Sequence, residues 1–430
     1  MKLKYAFNLG RVFTLSLAEL FSVFESMKLN FRLVDLYREV LIIEVNEPLP
    51  AASLQKRLGG TIKIIQIIDS LGRKKLSGPT VVFKEYFDAK TLKEQYLSVK
   101  SGKLQIGVSI YPMARQLPLR GENKRLGLMI KGVLTVAGLS VRVVFPQKDA
   151  ISLPSVVVTH EHLMEKGAEI DFLVGEERIY AGKTVSVQDF EDYGRRDYQR
   201  PVRSIQIGML PPKVAQEMIN LSMPEGTILD PFAGLGTVLQ EAMIMGYRAA
   251  GADISQKAID AAEKNLQWIK NRYKLPPGRF ELFVSDVKDL EKNLPVSPSG
   301  AGGGPAGIYG SVVTEGTLGP AYTEPPGEKE MAKNFKELEK LHLAGFRAIH
   351  SLLKPGTRVV AAFPAYRSSG KYIFFPGVDK IEKLGYDTVI PIPEVVLEKY
   401  PFLEVTPRKS IIYDRKDQFV SREIFIFKVN

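Results

Sequence analysis

Thr227-Ile228-Leu229-Asp230-Pro231-Phe232-Ala233-Gly234-Leu235-Gly236-Thr237 decides how this chain folds. Thr227 to Leu229 is a short apolar run closed by a carboxylate. Gly234 and Gly236 bracket a tight turn, and Val238 to Met245 has the composition of a helix. Glycine is expected there because it takes φ > 0 without strain and lets a ligand approach bare backbone. A second strand, Tyr247 to Ala252, ends in Asp253. An acid about 20 residues beyond such a turn is placed to hydrogen-bond a ribose. Strand, glycine turn, helix, strand and acid together predict a nucleoside-cofactor site.

The flanks choose the cofactor. A dinucleotide fingerprint requires a third glycine to pack its helix on its strand, and none stands at that place here. An acid at the end of the first strand would repel a pyrophosphate. It suits instead the cationic methionine end of S-adenosylmethionine, whose ammonium and sulfonium favour a nearby carboxylate. A third strand, Phe280 to Val284, leads to Ser285-Asp286, a carboxylate placed to accept from an adenine amino group. The stretch therefore reads as a methyltransferase site.

Composition sets outer bounds. The chain has 430 residues, 45% hydrophobic and 25% charged, which suggests about two to four globular domains. Its formal net charge of +11 favours polyanionic partners such as nucleic acid. The absence of cysteine excludes disulfides, thiolate metal sites and a cysteine nucleophile, and fits a reducing compartment. Asn8, Arg11, Glu19 and Glu25 interrupt the apolar N-terminal run, which therefore does not read as a signal peptide. No stretch reaches the roughly 18 uncharged apolar residues of a membrane span. A soluble, cytoplasmic protein is expected. His160 and His162 lack a suitably spaced third ligand, so no metal is expected.

From the N-terminus, strand Tyr5–Leu9, helix Leu15–Ser26, strands Phe31–Asp35 and Val40–Val45, a helix near Ala51–Leu58 and strand Thr61–Ile68 follow the ferredoxin-like order β-α-β-β-α-β. Gly72-Arg73-Lys74-Lys75 reads as a solvated turn. A second unit predicts a polar helix from Tyr86 to Lys100, strand Leu104–Tyr111 and a helix from Asn123 to Ala137 with Lys124, Arg125 and Lys131. Strand Ser140–Phe145 carries Arg142, and shorter strands are expected at Ser155–Thr159, Ile170–Val174 and Ile179–Tyr180. Asp192 to Arg203 reads as a charged, helix-poor linker. It interleaves Arg195, Arg196, Arg200 and Arg203 with Tyr193 and Tyr198, a pattern that suits phosphate contact and base stacking as well as a salt-bridged linker. Gly208 to Lys213 opens a helix to Leu221. Later elements are strand Ile308–Val313, a long helix Lys329–Leu353 holding His342 and His350, strands Arg358–Phe363 and Thr388–Ile392, and an antiparallel pair, Ser410–Tyr413 with Ser421–Val429, closing a seven-stranded sheet.

Phe7-Asn8-Leu9-Gly10-Arg11, Leu15 to Leu20, Leu58 to Lys63, Tyr193 to Asp197, Arg200-Pro201, Gly208 to Lys213, Leu229 to Thr237 and Ala252 to Ser255, in that order, resemble the THUMP-containing tRNA guanine-N2 methyltransferases, the archaeal-type enzymes acting on the guanosine at position ten. The resemblance covers more than half the chain. It implies an α/β fold in which residues 1–80 form a ferredoxin-like domain, 81–185 a THUMP-like RNA-binding domain, 186–207 a linker and 208–430 a Rossmann-like methyltransferase domain. It also implies that Met209, Leu210, Pro211, Pro212, Asp230, Phe232, Gly234, Gly236, Thr237, Asp253, Ile254 and Asp286 hold S-adenosylmethionine. Lys124, Arg125, Lys131, Arg142, Arg195, Arg196 and Arg200 would contact tRNA, and a monomer is expected.

The chain departs from the family where its catalytic motif stands. Such enzymes end the fourth strand with an acidic or amide residue, two prolines and an aromatic. The acceptor and a backbone carbonyl hold the amino group, and the aromatic stacks on the flipped base. Here Thr314-Glu315-Gly316-Thr317-Leu318-Gly319-Pro320 follows the strand. Glu315, Gly316, Thr317 and Leu318 become the candidate catalytic residues, with Tyr322 nearby. Ser297 to Gly307, rich in proline and glycine, reads as a mobile loop. Three readings stay open: transfer to guanine N2 in tRNA, transfer to another exocyclic amine (ribosomal RNA guanine N2 or adenine N6), and an RNA-binding protein that has lost catalysis.

Overall fold

The structure, a computed structural model, describes residues 2–73, 77–99, 102–147, 150–203, 209–294, 309–320, 322, 326–368, 371–415 and 418–430. The chain divides into two compact units: Met1–Phe13, Leu29–Lys56 and Thr61–Phe190 in one, and Thr14–Lys28, Arg57–Gly60 and Glu191–Asn430 in the other. The expected loop Ser297–Gly307 lies outside the described residues, as do Lys74, Lys75 and Gly208.

The first unit is built on strands β1 Leu3–Leu9, β2 Phe31–Tyr37, β3 Val40–Val45, β4 Thr61–Gly72, β5 Lys103–Pro112, β6 Ser140–Val144, β7 Gly167–Val174 and β8 Arg178–Val187. They form one eight-stranded sheet in the order β2-β3-β1-β4-β8-β7-β5-β6. The first four are antiparallel neighbours in the ferredoxin-like order. β4 is 12 residues long, enough to pair with β8 from Lys63↔Val187 to Gly72↔Arg178, which joins both groups of strands into one sheet. Helix Glu122–Val136 buries Leu126, Ile130 and Leu134 at its helical period and leaves Lys124, Arg125 and Lys131 exposed. Lys63 is buried with Glu169, 2.5 Å away, and Ser109 and Thr184 donate to the same carboxylate, so this internal ion pair is satisfied on both sides.

Three expected elements differ. Ser155–His160 is a helix, not a strand. Its valines have strand propensity, but Pro154 precedes the first turn and Val158 packs with Val144, Leu153 and Leu163, so tertiary contact overrides propensity. The polar helix expected over Tyr86–Lys100 is broken into helix Ala89–Thr91 and a π-turn, Leu92–Tyr96. The stretch read as a helix-poor linker contains helix Phe190–Tyr198.

In the second unit the strands are β9 Ile228–Asp230, β10 Ala249–Asp253, β11 Phe280–Val284, β12 Ser311–Glu315, β13 Arg358–Ser368, β14 Lys371–Phe374, β15 Tyr386–Val389, β16 Ile411–Tyr413 and β17 Val420–Val429. Their order is β11-β10-β9-β12-β13-β17-β15, with β14 paired to β13 and β16 to β17. β9 to β13 run parallel, and β17 enters antiparallel between β13 and β15. This is the expected seven-stranded Rossmann-like sheet with two short strands added. Helix Glu328–His350 lays Phe335, Leu338, Phe346 and Ile349 on it, against Phe363, Phe425 and Phe427.

Segments of the N-terminal half complete this unit. Glu19 is fully buried; its Oε1 accepts from the Gly59 amide (2.8 Å) and Asn220 Nδ2 (2.7 Å), and its Oε2 from the Gly60 amide (2.9 Å). Burial pushes its carboxyl up to about 7 against these bonds. Glycine is obligatory at 59, because a Cβ there would stand 2.3 Å from the Lys213 carbonyl oxygen. Gly59→Ala should therefore cost about 1–3 kcal/mol of stability, read as a lower urea midpoint. Gly132→Ala, on an exposed helical face with open space, should instead add about 0.5–1 kcal/mol.

Candidate functional site

From β9 the chain runs outward through β10 to β11, then returns to place β12 on the other side of β9. Strand order reverses between β9 and β12, and in open α/β sheets ligands bind beyond the carboxyl ends at such a reversal. Three acids stand there by strand position: Asp230 ends β9, Asp253 ends β10 and Glu315 ends β12. Thr314 Oγ1 donates to Asp230 Oδ1 at 2.7 Å, and the Phe232 amide donates to the same oxygen at 3.1 Å. Oδ2 accepts no hydrogen bond among the described residues. Burial pushes the Asp230 carboxyl up to about 7, with the Asp253 and Glu315 charges adding to the rise. A cation is what this acid lacks.

The glycine turn is built as expected, with a division of labour between its glycines. Gly234 has φ +50°, an added methyl there would meet nothing nearer than the Phe232 carbonyl oxygen at 3.9 Å, and its amide donates to Asp253 Oδ2 at 3.0 Å. Gly236, with φ +83°, faces Ala262, whose Cβ would lie 3.3 Å from an added methyl, so it serves helix packing. Asp253 Oδ1 accepts from the Ser255 amide at 2.9 Å, which aims the carboxylate and leaves each oxygen a second lone pair. Ile254 is 70% exposed beside it. Asp286 caps a 3₁₀ turn and pairs with Lys288 at 3.0 Å; the Lys288 amide is the main cause holding its carboxyl below the usual range. Leu210, Pro211 and Pro212 are buried and Met209 is half-buried. Thr237 accepts from Arg200 Nη1 at 2.8 Å. Asn265, which sequence reading passed over, clamps the turn by donating to the Leu235 carbonyl at 3.0 Å.

Beyond β12, Glu315 is not a free acid. Its Oε1 accepts from Arg422 Nε at 2.6 Å, and Arg422, on β17, is only 3% exposed. Burial raises the Glu315 carboxyl and Arg422 opposes that rise. Arg422 Nη2 also reaches the Met209 carbonyl at 3.5 Å. An added methyl at Gly316 would strike the buried His342 ring at 2.3 Å, and burial among Phe232, Phe363 and Phe375 pushes that imidazole down to about 4. Thr317 is exposed and Leu318 half-buried. Tyr322 packs edge-on against Tyr366, ring centroids 5.9 Å apart, rather than standing free as a stacking platform.

The arginines expected to face RNA divide into two groups. Arg196 is buried, pairs with Glu241 and Asp192, and lies over the Tyr193 ring. Arg200 is 3% exposed and donates to Thr237 and to Met209 Sδ. Burial thus takes both out of the set of surface cations: they tie helix Phe190–Tyr198 and the residues after it to the glycine-turn helix. Arg195 pairs with Glu191, Arg125 with Glu122 and Arg142 with Glu161, all partly exposed, and Lys124 and Lys131 are exposed. The first unit also holds a cleft of about 900 Å³ lined by Arg38, Arg115, Arg120, Tyr37, Tyr111 and Gln116, among others. Sequence reading missed it because Arg38 and Arg115 come from separate turns. Among the described residues no cluster of metal-binding side chains occurs, and no helix is long and apolar enough to cross a membrane.

A family described as DNA methylase matches residues 160–264. The chain is 32% identical over 161 residues to the tRNA (guanine(10)-N2)-dimethyltransferase of Methanothermobacter thermautotrophicus, covering 37% of this chain and 40% of that one. It is 26% identical over 197 residues to the enzyme of the same name from Pyrococcus abyssi, covering 45% and 46%. The matches thus span less than half the length of these relatives. Among solved structures, TrmN from Thermus thermophilus superposes with a TM-score of 0.55 at 13% identity, covering all of both chains. That likeness establishes a shared fold across the whole chain.

Proposed function

We propose that this chain is an S-adenosylmethionine-dependent RNA methyltransferase acting on an exocyclic guanine amine, N2, in tRNA. The observation that carries the reading is the convergence of Asp230, Asp253 and the open Gly234 turn at the strand-order reversal, with Glu315 at the neighbouring strand end. The two tRNA (guanine(10)-N2)-dimethyltransferases that match part of the chain support the choice of substrate. The protein acts as a soluble, cytoplasmic monomer in this reading.

The residues present fit the cofactor. Asp253, already aimed by two backbone amides, takes the ribose hydroxyls; Asp230 faces the cationic methionine end; Ile254 and Asp286 border the adenine; Met209 to Pro212, Phe232 and Thr237 wall the site. S-adenosylmethionine supplies an electrophilic methyl group there. The protein supplies position. Guanine N2 is a poor nucleophile, so Glu315 and the Gly316 carbonyl hold the amine with its lone pair aimed at the methyl, and Glu315 accepts the proton the amine loses. Lys124, Arg125, Lys131, Arg142 and Arg195 hold the RNA backbone. The arginine- and tyrosine-lined cleft of the first unit offers a further place for single-stranded nucleotides.

Asp253→Ala should weaken S-adenosylmethionine binding by about 1–3 kcal/mol, and unchanged calorimetric affinity would remove Asp253 from the site. Affinity should also fall as pH drops through about 7, where Asp230 takes a proton and loses its attraction for a cation. Asp230→Asn should bind weakly at every pH; a wild-type affinity flat from pH 5.5 to 8.5 would exclude the role given to Asp230. Function itself is tested by single-turnover transfer of labelled methyl to unmodified tRNA, followed by nucleoside analysis. Transfer to guanosine should be nearly abolished by Glu315→Ala. A wild type that binds cofactor yet methylates no RNA is an RNA-binding protein only.

A further inference from the structure

Glu315 and Arg422 come from strands far apart in sequence, yet they form a short, almost fully enclosed ion pair at the mouth of the proposed site. Asp230 is the nearby acid, felt across the strand ends, and Arg415 the second cation facing Glu315. Arg422 occupies Oε1; Oε2 accepts no hydrogen bond among the described residues, and the side chain keeps 10% of its surface open. Burial raises the Glu315 carboxyl and the guanidinium opposes that rise; Arg422 Nε at 2.6 Å from Oε1 has the geometry of a pair with a carboxylate, which accepts hydrogen bonds and donates none.

That difference between acceptor-only and donor-plus-acceptor decides which base can be held. Guanine presents two neighbouring donors, N1–H and the N2 amine. Adenine presents its amine beside N1, and cytosine its amine beside N3; in both the neighbour is a lone pair that would face the carboxylate. Uracil has no amine. We propose that Arg422 is a positioning residue that holds Glu315 as an anion, and that the Glu315–Arg422 pair selects guanine by requiring an N–H beside the amine to be methylated. The pair also supplies, by charge, the rigidity that two prolines give this position in the family the chain resembles. This inference rests on the methyltransferase reading above.

The test compares tRNA transcripts carrying guanosine or 2,6-diaminopurine at the nucleotide that wild-type enzyme methylates. The analogue keeps the 2-amine but has a lone pair at N1. Wild type should prefer guanosine by about 100-fold or more, since a site built to pair a substrate N–H discriminates strongly against its loss. Glu315→Gln, which can donate to N1 while accepting from the amine, should bring the ratio to within about tenfold of unity. Arg422→Met, which removes the cation that opposes protonation of Glu315, should relax it in the same direction, and the preference should recover as pH rises. Arg422→Lys, which keeps the charge, should retain it. Cooperative thermal unfolding and measurable calorimetric binding of S-adenosylhomocysteine in all three show that the variants are folded. Equal wild-type rates on both transcripts, or an undiminished preference in Glu315→Gln, overturns the inference. If wild type methylates no transcript, the methyltransferase reading falls and the inference with it.

Discussion

The bond from Thr314 Oγ1 to Asp230 Oδ1 crosses the point on which the second unit depends, where strand order reverses between β9 and β12. At a reversal the connections leave the two neighbouring strands toward opposite faces of the sheet, and the crevice outside their carboxyl ends is what a ligand enters. A hydroxyl on one strand bonded to a carboxylate on the other fixes the width of that crevice. It also occupies Oδ1 of Asp230 and leaves Oδ2 without a hydrogen bond among the described residues. The carboxylate is thereby aimed but not neutralised, and burial keeps it poised near neutral pH.

What was legible in the sequence is what is determined locally. The glycine turn, Asp253 and the strands around them lie within about one βαβ unit, and the spacing of glycine and acid follows from strand and helix lengths. The ferredoxin-like order was legible because alternating apolar runs separate its elements cleanly. Ser155–His160 was misread because three valines favour strand, whereas its helix is set by Pro154 and by the pocket that receives Val158. Helix Phe190–Tyr198 was missed because charge and Gly194 argue against it locally. Its stability comes from Arg196 reaching Glu241, 45 residues away.

The same distance hid half of the candidate site. Arg422 lies 107 residues from Glu315, in a strand whose other members are mostly apolar. Nothing periodic announces its partner. The one local sign is the pair Arg422-Glu423 directly before the apolar run Ile424 to Phe427, since charged residues are seldom fully buried without partners. Both have one: Glu423 accepts from Ser410 at 2.7 Å and pairs with Arg408 at 3.2 Å.

Net charge shows how far composition can mislead about place. A value of +11 suggests a basic surface, but Arg196, Arg200 and Arg422 are each at most 4% exposed. Each answers a specific internal acceptor: Glu241, the Thr237 hydroxyl and Glu315. Guanidinium suits this use because its donors lie in a fixed plane that can serve two acceptors at once. The three therefore link helix Phe190–Tyr198, the glycine-turn helix and β17 to the edge of one site. A positive charge that is buried here is spent on an internal acceptor and adds little to the surface field. The surface field is left to lysines and half-exposed arginines such as Lys124, Lys131 and Arg142, whose flexible, hydrated heads suit phosphates that slide past rather than a base held still.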